Sequence, residues 1–154
     1  MPATARAFVK ASLLYLGLGA LLGALLFLNR WLNLGPAVTA LRPSHVQCLV
    51  VGWLTQLILG VAWWLCPPLE MGLHHGEPMR RGQTQRGSER LFWATFAALN
   101  LGVLLRAIFE PLHTWTGNEA FLALTGLSGL FLLTAALAIV LNMWRRVRAL
   151  GQNR

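Results

Sequence analysis

Four long apolar runs, parted by three polar stretches, organise the chain. Crossing about 30 Å of hydrocarbon at about 1.5 Å per residue takes roughly 20 apolar residues in a helix. Runs of that length lie at 8–28, 46–65, 91–109 and 120–143. Between them come "NRWLNLGPAVTALRPS", the long polar "PPLEMGLHHGEPMRRGQTQRGSER" and the short "EPLHTWTGNE". No segment alternates with the two-residue period of a barrel strand, so helices are the only plausible spans. The expected fold is all-α: a four-helix integral membrane bundle, with residues 1–154 forming a single transmembrane domain.

The first run follows Arg6 and Lys10, the arrangement of a signal peptide, but it is longer than an ordinary signal core and has no clear small-x-small cleavage site before Asn29. A retained helix is therefore expected, with Lys10 snorkelling at its end.

Small and polar residues subdivide the helix faces. The second run places His45, Cys48, Gly52, Thr55 or Gln56, Gly60 and Trp63 on one broad face, opposite Leu49, Val50, Leu54, Leu57, Ile58, Val61 and Leu65. The first face suits a packed interior or a flat cofactor, because glycine lets a ring or a helix approach closely. The first run carries Gly19 and Gly23 in GxxxG spacing, and the fourth carries Gly126, Ser128 and Gly129, both pointing to close helix contact. In the third run Asn100 is mid-membrane, and Arg106 can pair with Glu110 on one face. Pro111 biases Glu110 away from helical geometry and marks a place for that helix to end.

Composition enters only to exclude. At 56% hydrophobic and 12% charged, 154 residues are too apolar for a water-soluble domain. The net charge of +8 comes from arginines beside spans, where topology and anionic headgroups account for them, so no nucleic-acid partner is expected. Arg6, Lys10, Arg80, Arg81, Arg86, Arg90, Arg145, Arg146, Arg148 and Arg154 all fall on one side of a four-span arrangement, and Arg30, Arg42 and Arg106 on the other. The positive-inside rule then puts both termini in the cytoplasm, in a plasma-membrane protein, with His45 near the outer face. Trp31 and Trp115 fall at the outer interface, Trp63, Trp64, Trp93 and Trp144 at the inner one, and Trp53 at mid-depth. Cys48 and Cys66 stand roughly 27 Å apart along one helix and cannot bridge.

An ionisable group at the mouth of a span is a candidate for function, and His45 is the first such group here. Its bland reading is a hydrogen bond to a backbone carbonyl or interfacial water. The sharper one pairs His45 with His113 on one haem iron, with Arg42 and Arg106 receiving the propionates. The loop histidines His74 and His75, near Glu70 and Glu77, lack a dependable metal-ligand spacing, and a solvated loop is expected there.

The stretch "RPSHVQCLVVGWLTQLILGVAWWLCPPLE" resembles the second transmembrane helix of the haem-copper oxidase superfamily catalytic subunit, and is most similar to the nitric oxide reductase branch. The matching positions are Arg42, His45, Gly52, Gly60, Trp63, Trp64, Pro67 or Pro68, and Glu70, about a fifth of the chain. The resemblance implies that His45 is an axial ligand of a low-spin haem b on the outer side, with Gly52 flanking the ring. Gln47 stands where the family often has asparagine. The family's remaining haem and metal-centre ligands lie on helices beyond this match, so the resemblance does not imply that this chain reduces oxygen or nitric oxide alone.

The leading expectation is thus a haem-b-binding membrane protein with an electron-transfer or accessory role in a respiratory-type complex, its second ligand being His113, a partner subunit or a second copy. Lipid, other membrane subunits or a homo-oligomer, and a quinone or cytochrome redox partner are the expected company. The alternative is a haem-free structural or assembly subunit of a larger membrane complex. A small-ligand carrier using Asn100, Thr55 and Gln56 ranks last, since no internal repeat is evident.

Overall fold

A computed structural model describes residues 1–65 and 88–149, with side chains as far as Trp144. The elements are α1 (Ala3–Leu32), α2 (Pro36–Thr39), α3 (Arg42–Gln47), a π-helical segment (Cys48–Thr55), α4 (Gln56–Leu65), α5 (Glu89–Thr116) and α6 (Glu119–Ala149). Four stretches are long and apolar enough to cross a membrane: Ala3–Leu32, Pro36–Leu65, Glu89–Thr116 and Glu119–Trp144. Among the described residues the protein is all-helical with four candidate membrane spans, and no strand occurs. His74, His75, Cys66, Glu70 and the arginines Arg80, Arg81 and Arg86 lie outside them.

Each span runs past its apolar core, because interfacial turns are polar but still helical. The second span begins at Pro36, well before Val46, where Pro36 and Pro43 take first-turn positions that need no amide donor. Asn33 closes α1 in the left-handed conformation, and Gly117 does the same for α5, its N–H bonding the His113 carbonyl at 2.8 Å.

The third span corrects the sequence reading at Pro111, where α5 does not stop but continues to Thr116. A proline removes the donor that would bond the carbonyl four residues earlier, here that of Ala107. Ser44 Oγ, from α3, donates to the Ala107 carbonyl at 2.7 Å. A hydroxyl from a neighbouring helix is one of the ways a span keeps a proline without leaving an unpaired carbonyl in hydrocarbon.

The π-helical segment is the feature that periodicity did not anticipate. Ser44, Cys48, Gly52, Gln56 and Gly60 are all buried at intervals of four. In a pure α-helix each such step overshoots the 3.6-residue turn by roughly 40°, and the row would wind off the interface. The π-helix, bonded i→i+5, widens the turn and holds the row in line. It also decides between the two polar candidates: Gln56 is fully buried, while Thr55 is turned aside and donates to the Val50 carbonyl at 2.9 Å.

That row meets α1 through glycines on both sides. A Cβ on Gly52 would come within 2.8 Å of Tyr15 Cβ, and one on Gly60 within 2.9 Å of Phe8 Cβ. From the other side, one on Gly19 would meet Leu49 at 2.8 Å. The Gly19/Gly23 pair is therefore spent on packing within the chain. α5 packs along α6, where Gly102 faces Leu132 and the Ser128 carbonyl. Asn142 holds both backbone polar groups of Ser88, accepting from its N–H at 3.1 Å and donating to its carbonyl at 3.2 Å.

Aromatic packing closes the end that carries the N-terminus of α1. Trp63 stacks on Phe92 with centroids 4.1 Å apart, and Phe8 stacks on Phe92 at 4.5 Å and meets Phe96 edge-on at 5.0 Å. Trp63, expected at the wet interface, is 1% exposed, because the α4 end is drawn into this stack. Trp31, Trp64, Trp93, Trp115 and Trp144 are exposed.

Candidate functional site

Arg42 starts α3 and Arg106 lies on α5, and the Ser44–Ala107 hydrogen bond brings these elements together two residues from one and one from the other. Both arginines line an open groove of about 380 Å³, together with Glu110, Gln47, Val46 and Val50. Arg106 Nε donates to Glu110 Oε2 at 2.9 Å, the pairing its i,i+4 spacing predicts. No carboxylate pairs with Arg42 among the described residues. Gln47 is buried, and its Nε2 has no hydrogen-bond partner among the described residues.

His45 is turned the other way. Its Nδ1 donates to the Gly19 carbonyl at 2.8 Å, and its ring lies against Gly23, where a Cβ would stand 2.7 Å from Cε1. A carbonyl only accepts, so Nδ1 carries a proton, and the neutral form of the ring has its lone pair on Nε2. Metal-bound histidines are commonly oriented in this way, and so are histidines that only join two helices.

His113 belongs to a different place. Its Nδ1 donates to the Asn118 carbonyl at 3.1 Å, in the turn between α5 and α6. The structure brings together Arg42 and Arg106, but it puts His45 in the α1–α3 interface and His113 at the α5–α6 turn. Gly52, expected to flank a ring, is covered by Tyr15. α1 thus lies against the His45 ring, and His45 and His113 are held by different neighbours. No group of three or more potential metal ligands occurs among the described residues.

The polar path of a carrier closes on itself. Gln56 Nε2 donates to Asn100 Oδ1 at 3.3 Å, and Asn100 Nδ2 to Gln56 Oε1 at 3.4 Å and to the Phe96 carbonyl at 2.8 Å. In hydrocarbon this mutual pairing lets a buried Gln56 and a part-buried Asn100 lie between helices.

Sequence reading missed two members of the site. Ser44 has no sequence signal beyond being a hydroxyl in the first turn of α3, because its partner carbonyl lies 63 residues away. Gln47 drew notice only as a departure from a family pattern, whereas its burial places it in the groove wall. No protein-family model, curated protein or solved structure matches the chain.

Proposed function

We propose that the chain is a haem-free structural or assembly subunit of a larger membrane complex, and that α6 is the helix that meets its partner. One observation carries this reading. An added Cβ would collide with a neighbour in the chain at Gly19, Gly23, Gly52, Gly60 and Gly102, but would meet nothing within 4 Å at Gly126 or Gly129. Those two lie three residues apart on α6, whose most apolar window is only 11% buried. Lipid tails are as apolar as leucine, so exposed leucines need no partner, whereas adjacent small residues let another helix approach closely. Gly17 on α1 is open too, beside exposed Ala20 and Ala24, but that helix is the more buried of the two, at 17% of its most apolar window. The partner is a transmembrane helix of another subunit or of a second copy.

The arginine asymmetry supports cytoplasmic termini and a plasma-membrane location. The test is the size of the membrane assembly, by cross-linking in the native membrane and native mass spectrometry, for wild type and Gly126→Ile/Gly129→Ile. The double variant should lose the assembly and keep the helix content and heat stability of the isolated chain. A wild type found wholly as a lone chain in the membrane would sink the proposal.

A second reading rests on the His45 tautomer: Nε2 keeps its lone pair for a haem b iron whose other ligand comes from another chain, with a quinone or cytochrome exchanging electrons. A reduced-minus-oxidised spectrum of wild type beside His45→Ala and His113→Ala decides it. A low-spin signal lost only in His45→Ala supports this reading, and a colourless folded wild type removes it.

A further inference from the structure

We propose that the groove between α3 and α5 binds one anionic phospholipid of the single-phosphodiester kind, of which phosphatidylglycerol is the simplest. The proposal does not depend on what α6 meets, because the groove is built without α6.

Charge selects the headgroup. Arg42 and Arg106 against Glu110 leave one net positive charge in the groove, which matches one phosphodiester and not a two-phosphate lipid. Arg106 uses Nε on Glu110, so its terminal nitrogens remain to donate, and Arg42 has no carboxylate partner among the described residues. Guanidinium groups are well suited to phosphate oxygens because several N–H groups point the same way.

Depth selects a lipid over a free anion. Gln47 lies five residues beyond Arg42, about 7.5 Å further along the helix axis at about 1.5 Å per residue. It is 6% exposed, and its Nε2 is unpartnered. A buried amide without an acceptor is costly, so a side-chain rotation that brings this solvent-closed amide out to an acceptor in the groove is favoured. In a glycerophospholipid the ester carbonyls sit deeper in the bilayer than the phosphate, in the same order as Gln47 and the arginines. The outer wall of the groove is apolar: Val46 and Val50 are each half exposed, a surface for an acyl chain beside the ester.

The experiment is native mass spectrometry of the delipidated full chain, titrated separately with phosphatidylglycerol, phosphatidylcholine, cardiolipin and inorganic phosphate. One phosphatidylglycerol per chain should be retained in preference to phosphatidylcholine. Arg42→Gln should lower that retention about tenfold, the size of one charge-assisted contact. Arg30→Gln, an exposed arginine at the same end of the molecule but outside the groove, should leave it unchanged. Gln47→Leu should also lower retention while raising the melting temperature of the lipid-free chain, since it removes an unpaired buried amide; a merely structural glutamine would not give both changes.

Equal retention of phosphatidylglycerol and phosphatidylcholine would overturn the proposal. So would equal losses in Arg30→Gln and Arg42→Gln, which would show diffuse surface charge. Inorganic phosphate displacing the lipid at equal concentration would overturn it in favour of a free-anion site, and cardiolipin outcompeting phosphatidylglycerol would overturn the single-phosphate match.

Discussion

Where the first three spans meet, the two ends of the bundle are held together by different chemistry, while α5 and α6 are joined by the Ser88–Asn142 pair at one end and the Phe109–Phe121 stack at the other. At the end bearing the N-terminus of α1, Phe8, Trp63 and Phe92 join three helices by ring stacking. At the other end the joints are polar: Ser44 on the Ala107 carbonyl, His45 on the Gly19 carbonyl, and Trp115 Nε1 donating to the Ala37 carbonyl at 3.0 Å. The difference follows from the connections. Short turns at 33–35 and 117–118 already hold α1 to α2 and α5 to α6 at the polar end, so its side chains are free to frame an open groove. At the aromatic end, α1, α4 and α5 are not joined by short turns among the described residues, and side-chain packing must supply the contact.

Breaking the aromatic end should have the largest effect. Phe92→Ala removes the ring that both Phe8 and Trp63 stack on, and should destabilise the fold by about 3–5 kcal/mol, measured by reversible unfolding in detergent. If the loss matched that of a lipid-facing change such as Leu141→Ala, the stack would not be what holds this end.

The polar end should break more gently and in a way that can be undone. Ser44→Ala leaves the Ala107 carbonyl unpaired and should cost about 1–3 kcal/mol. Pro111→Ala restores a backbone donor to that carbonyl, so in its background Ser44→Ala should cost much less. Equal losses in both backgrounds would mean that the serine acts through something other than the proline.

The smallest effect belongs between the ends, where Gln56 and Asn100 pair. A double-mutant cycle of Gln56→Leu and Asn100→Leu should give a coupling of about 0.6 kcal/mol, the ordinary worth of a hydrogen bond between spans. A coupling as large as the Phe92 loss would overturn the ranking of apolar over polar joints.

Much of this arrangement was legible beforehand, and unevenly so. The Arg106–Glu110 pair was readable because i,i+4 spacing is a property of one helix. Close approach at Gly19 and Gly23 was readable for the same reason: small residues at that spacing lie on one face. The outcome at His45 was not, since a histidine at that height serves a helix carbonyl or a metal equally well until its neighbour is known. Nor could spacing foresee that the tip of α5 would hold His113 in its own turn.

What the sequence determined by itself was the number of spans and their helical character, because the bilayer leaves an apolar run of that length no other way to satisfy its backbone. Tertiary structure alone decided which polar groups met. The π-helical turns that bring Gln56 to Asn100, the serine that lets α5 pass Pro111, and the burial of Gln47 beside Arg42 and Arg106 all depend on contacts between helices distant in the chain. Periodicity reports which residues share a face, but only packing fixes what that face touches.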